Sequence, residues 1–149
     1  MALLDRLPTK DRLLRMGLIN DCQCMFCDDP SENRDHLFLH CPMADYLWNS
    51  IFSLSGLPYK ARSWDSFLAW ASATWKGKSL LTFIMKIALN ALIYILWEER
   101  NKKLFQGRSR SAHELLQAIK YIVGIQLRGR NLNTVDSVNC NLCKHWDIV

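Results

Sequence analysis

The sequence predicts a mainly α fold: a small loop rich in Cys and His between short helices, followed by a bundle of about three longer helices. Three observations carry this. Apolar residues recur at helical spacing in several segments, capping and breaking residues bracket those segments, and residues 20–41 are dense in Cys, Asp and His with little apolar periodicity. The chain divides into a loop-bearing region at 1–55, a helical region at 56–128 and an extended tail at 129–149.

The elements follow in order. Residues 10–16 read as a short helix, capped by Thr9 and ended by Gly17, with Leu13, Leu14 and Ile19 apolar. Pro42 suits the first position of a second helix running to about Phe52, with Met43, Leu47, Trp48 and Ile51 on one face. After a loop at 56–62, Ser63 caps a helix to about Thr74, with Trp64, Phe67, Leu68 and Ala71 inward. Residues 79–105 form the longest candidate, and between Leu80 and Trp97 only Thr82, Lys86 and Asn90 are not apolar. That stretch is nearly long enough to cross a bilayer. Lys86 and Asn90 would be costly at its middle, so a buried central helix is favoured over a membrane span. Its tail, 98–103, is charged and is expected to leave the core. Ser111-Ala-His-Glu114 spells a capping box opening a last helix to about Leu127.

Half of the 149 residues are apolar and six are Trp, which is enough side-chain mass for a core and argues against disorder. The formal charge of +5 admits an anionic partner. It is unevenly placed: residues 1–41 carry five Lys/Arg against seven Asp/Glu, and residues 98–130 carry eight against three. Charged residues from Asp5 to Arg12 interrupt any secretory apolar core, so an intracellular, reducing compartment is expected, nucleus or cytoplasm. There, six Cys favour metal over disulfides.

The chemistry lies in Cys24-Met-Phe-Cys27, eight residues, His36, four residues, Cys41. Two Cys separated by two residues fit a tight turn aiming both sulfurs at one ion, and a His and a Cys complete a tetrahedron. Thiolates with an imidazole select Zn²⁺ over hard cations. Four protein ligands leave no position for a reactive water, so the expected cofactor is one structural zinc. The helix beginning at Pro42 is expected to stabilise a Cys41 thiolate, and Asp28, Asp29, Pro30 and Ser31 supply turn chemistry. Cys22 and His40 are rivals to Cys24 and His36, though a four-residue gap suits zinc less well and His40 adjoins Cys41. Cys140-Asn-Leu-Cys143 with His145 is a weaker pair that would have to borrow Cys22.

Leu7-Pro-Thr-Lys-Asp-Arg-Leu13, Cys24-x-x-Cys27 and Asp35-His-Leu-Phe-Leu-His-Cys41-Pro42 together resemble the reverse-transcriptase zinc-binding domain. This domain lies at the carboxyl end of plant LINE-type retrotransposon polyproteins and in host genes derived from them. Ile95-Leu-Trp-Glu-Glu-Arg-Asn-Lys-Lys-Leu-Phe105 looks like the Trp-x-Glu-Arg-Asn segment that often follows it. The resemblance implies Cys24, Cys27, His36 and Cys41 as zinc ligands. No Tyr-x-Asp-Asp turn, nuclease carboxylate set or Gly-rich phosphate loop accompanies it, so a non-catalytic fragment is expected, and no small-molecule substrate is implied.

Three roles remain open: a module binding RNA or DNA, a structural module docking a protein through its aromatic helices, and a transposon relic without selected function. Candidate nucleic-acid contacts are Lys10, Arg12 and Arg15 beside the loop and Arg100, Lys102, Lys103 and Arg108 beyond it, with Arg110, Arg128 and Arg130 extending the second group. Phe26 and Phe38 are candidates for base stacking, with packing over the metal or core as the competing role. Asp28, Asp29, Glu32 and Asp35 outnumber Arg34 in the loop, which moves the expected contacts toward the second half.

Overall fold

Six α-helices and one π turn make up the regular structure, with no strand among the described residues. The structure, a computed structural model, describes residues 7–27, 31–60 and 63–148. The helices are α1 (Lys10–Arg15), α2 (Pro42–Leu54), α3 (Trp64–Thr74), α4 (Leu80–Gln106), α5 (Ala112–Leu127) and α6 (Ser137–Trp146), and the π turn is His36–His40. The mainly α expectation holds.

The local signals act largely as expected. Pro42 is the first residue of α2. Ser63 and Ser79 each accept a hydrogen bond from the backbone N–H three residues on, and Ser111 and Glu114 form the full capping box. Gly107 closes α4 in the left-handed conformation, φ 69°, where a Cβ would be strained. Thr9 departs from expectation. Its hydroxyl donates to Asp11 instead of capping α1, and the start of α1 is closed from a distance by Glu32. A Glu32 carboxylate oxygen accepts from Lys10 N–H at 2.9 Å, and its carbonyl accepts from Asp11 N–H at 3.0 Å.

The central helix is α4. It packs along α5, and α2 lies against α4, α5, α6 and the π turn. It is long and apolar enough to cross a membrane by length and composition, yet 61% of its most apolar window is buried inside the fold. Lys86 and Asn90, the residues that would be costly in hydrocarbon, are exposed. Around α2 and α3 the aromatic rings close on one another: Trp48 lies 4.8 Å from Phe67, Phe52 5.1 Å from Tyr59, and Trp70 5.1 Å from Trp75, centroid to centroid. Trp48, Trp64, Trp75 and Trp146 are buried. The aromatic helices expected to offer a protein-docking groove therefore fill the core, where each ring contributes most by leaving water.

Two expectations are corrected. Residues 129–149 are not an extended tail throughout, because 137–146 form α6. The Asp136 carboxylate accepts from the N–H groups of Val138 and Asn139, and Leu142, Cys143, Trp146 and Ile148 are buried. The Trp146 indole N–H donates to Ser55 Oγ at 3.2 Å, which ties α6 to the end of α2. The charged stretch after Trp97 also leaves the core only in part: Glu99 and Arg100 are 1% and 2% exposed, while Glu98, Lys102 and Lys103 are half-buried. Each has a charge partner, since burial of a lone charge would be prohibitive. Glu99 accepts from the backbone N–H and the guanidinium of Arg110, fastening the α4–α5 connection. Arg100 pairs with Glu32, which is fully buried, its Nη2 at 2.8 Å and its Nε at 3.3 Å from the carboxylate. The same guanidinium lies 4.7 Å from the Trp97 ring centre.

Removing one partner of a buried pair leaves the other charge uncompensated, which typically costs about 3–5 kcal/mol. Arg100→Met and Glu32→Gln should each lose stability of that order in urea unfolding. The double variant should lose clearly less than the sum of the two, and additive losses would show that the pair is not coupled.

Candidate metal centre

Cys24 ends an irregular strand of chain and Cys27 follows across a turn at residues 25–27. The His36 backbone N–H is received by the Asn33 side chain at 2.8 Å, which starts the helical turn. The decisive local feature is the π turn. In an α-helix, residues five apart point about 140° away from each other, given about 100° per residue. A π turn closes instead with an i→i+5 hydrogen bond, here Cys41 N–H to His36 C=O at 2.7 Å, so His36 and Cys41 return to one side. The buried Trp48 indole supports the turn by donating to the Phe38 carbonyl at 2.7 Å.

The ligand atoms of Cys24, Cys27, His36 and Cys41 all lie within 4.8 Å of one another. The Sγ atoms of Cys24 and Cys41 are 3.9 Å apart, and Cys27 Sγ is 3.1 Å from His36 Nε2. Zn–S bonds of about 2.3 Å in a tetrahedron separate sulfurs by about 3.8 Å, close to the spacing of Cys24 and Cys41. Cys24 and Cys41 are buried while Cys27 and His36 are half-buried, giving a site with one sheltered and one open edge. The tetrad is compatible with one structural zinc ion, whose chemistry is to cross-link the two halves of the loop.

The two buried sulfurs lie within hydrogen-bond reach of each other, 3.9 Å apart. The hydrogen bond with Cys41 holds Cys24 down to about 5, helped by the N–H groups of Phe26 and Cys27. The same hydrogen bond, with burial, pushes Cys41 up. The Met43 N–H at the start of α2 acts in the direction expected from the helix terminus but is outweighed. Thiolate ligation by both sulfurs requires the pair to give up its remaining protons when a metal binds.

The rivals stand elsewhere. Cys22 donates to the Glu32 carbonyl at 3.7 Å and His40 is exposed. In α6, Cys143 is buried, while Cys140 is half-buried and His145 exposed; among the described residues they join no metal-ligating group. Asp28, Asp29 and Pro30 lie outside the described residues.

Residues 1–48 match the family of zinc-binding domains in reverse transcriptase. The N-terminal third of the chain is thus similar to the zinc-binding domains of reverse transcriptase. The comparisons with curated proteins and with solved structures give no match. The match ends within α2, so the matched segment draws further support, notably Arg100, from helices outside it.

Of the cations proposed as nucleic-acid contacts, two are withdrawn. Lys10 is buried with its ammonium 3.6 Å from Asp21, and Arg100 is buried on Glu32. Arg12 is half-buried, Arg15 is exposed and 3.4 Å from Asp11, and Lys102 is 2.9 Å from Glu98. Lys103 is half-buried and Arg108 exposed. Phe38 is fully buried, 6.0 Å from the Trp64 ring, so it packs in the core rather than stacking on bases; Phe26 packs partly against that core. Glu32, counted with the loop's repelling acids, is neutralised by Arg100 and is the site's main structural support.

Zinc-loaded protein should contain one zinc per chain by elemental analysis. Cys27→Ser should lose the metal and the protected amides of residues 7–41 in hydrogen exchange, while α4 and α5 stay protected. Retention of full zinc by Cys27→Ser would contradict the assignment.

Proposed function

We propose that the chain is a non-catalytic nucleic-acid-binding module of intracellular, reducing compartments, in which zinc shapes the protein and basic side chains bind the strand. The plant LINE-type origin implied by the resemblance belongs to the same proposal. The supporting observation is how the acids are used. Glu98 and Glu99 pair with Lys102 and Arg110, and Glu114 caps α5, so Lys103 and Arg108 have no acidic partner among the described residues.

The topology divides the basic surface. Lys103 and Arg108 stand where α4 meets α5, and Arg128 and Arg130 stand at the far end of α5, about 24 Å away at 1.5 Å per residue. Arg130 lies over Phe83 near the start of α4, 5.5 Å from the ring centre. Arg100 and Leu104 abut α1 and the zinc loop, so Lys103 and Arg108 share an end of the molecule with Arg12 and Arg15. That end is the footprint we infer. RNA and DNA both satisfy it, since the contacts are to phosphate.

Fluorescence anisotropy with a labelled single-stranded oligonucleotide, measured across a salt series, tests the reading. Each lost phosphate contact lowers the slope of log K against log salt by about 0.7 for a single strand. Lys103→Gln with Arg108→Gln should lower it by about 1.4. Arg128→Gln with Arg130→Gln should change it less. A wild-type protein with no salt-dependent binding would overturn the proposal.

A further inference from the structure

A cleft of about 490 Å³ opens between α1 and the turn that leads into His36. Arg12 and Arg15 line it from α1, and Asn33 and Arg34 line it from the zinc loop. Its volume falls within the range of small-ligand sites. Asp11 and Asp35 are also present, but both are engaged. Asp11 accepts from Thr9 and from Arg15 at 3.4 Å, and Asp35 lies 3.6 Å from Arg34 Nε. Arg34 also reaches Asp65, at 3.4 Å. Arg15 and Arg34 thus stand against carboxylates, and Arg12 is the guanidinium in the cleft with no carboxylate contact among the described residues.

Arg12 is the anomaly. Its Nη1 is buried and has no hydrogen-bond partner among the described residues. A buried N–H without an acceptor is costly, and a charged donor more so, unless a ligand supplies the acceptor. The planar guanidinium fork matches an oxyanion with several acceptor oxygens, and phosphate is the common one that Arg binds bidentately.

We propose that this cleft holds a phosphate group of the bound nucleic-acid strand, with Arg12 as its principal donor and Arg15 and Arg34 flanking it. The assignment of the phosphate to a strand rests on the nucleic-acid reading above; the cleft's affinity for phosphate does not. The zinc loop then has a second consequence: Asn33, which starts the His36 turn, and Arg34 beside it form one wall of the cleft, so the metal sets the spacing between Arg34 and Arg12.

The test uses zinc-loaded, ¹⁵N-labelled full chain titrated with inorganic phosphate at constant ionic strength, with chloride as control. The Nε–H resonances of Arg12 and Arg34 should shift saturably with phosphate and stay unmoved by chloride. Arg12→Gln should abolish the saturable shift of Arg34 while its unfolding midpoint stays unchanged or rises, since the variant removes an unsatisfied buried donor. Arg34→Gln should weaken the response of Arg12. No saturable phosphate response in the wild type overturns the cleft, and phosphate binding retained in Arg12→Gln overturns the role of Arg12. An oligonucleotide arm separates the two readings. Oligonucleotide binding that survives Arg12→Gln unchanged overturns the cleft alone, whereas phosphate binding without oligonucleotide binding overturns the assignment to a strand.

Discussion

The fold of the zinc loop depends on one buried carboxylate. Residues 20–41 carry too few aliphatic side chains to collapse alone, so polar fastenings must hold them to the helices. Glu32 supplies the largest. Its side chain closes the start of α1, receives the Arg100 guanidinium from α4, and its backbone receives Asp11 and the Cys22 thiol. A residue with this many partners links three segments far apart in sequence. The pair is buried with its hydrogen bonds satisfied, and losing either partner would strand the other charge in low dielectric.

Much of this was legible in the sequence, and the reasons differ by element. Helices α2 to α5 announce themselves because their caps are local: Pro42, Ser63, Ser79 and the Ser111–Glu114 box act on N–H groups a few residues away. The tetrad was legible because metal-ligand spacing is a short-range constraint. The π turn was not, although the four-residue gap between His36 and Cys41 requires their return to one side. Helix α6 was missed because its surface is Asn-rich and only Leu142, Cys143 and Trp146 within it are buried. Glu32 and Arg100 were misread because charge counting treats every ionisable side chain as solvated. Their pairing spans 68 residues, and no local pattern reveals it.

That pairing also gives the Trp-Glu-Glu-Arg-Asn segment of α4 a physical reason to accompany the zinc loop. Trp97 lies beside Arg100, Arg100 holds Glu32, and Glu99 holds Arg110 at the next connection. Zinc and the ion pair brace the loop from opposite sides: the metal joins Cys24 and Cys27 to the π turn, and Arg100 joins the intervening chain to the core. The loop's acidity, which seemed to oppose an anionic partner, is partly consumed by this bracing. Arg15 and Arg108 are exposed at that end.

The central claim is that the tetrad forms a closed Cys₃His centre, with no coordination position left for water. X-ray absorption at the zinc edge of the zinc-loaded chain measures the ligand shell directly. The account predicts three sulfur scatterers at about 2.3 Å and one nitrogen at about 2.0 Å. A shell with fewer sulfurs and an added oxygen would mark an open site and contradict it.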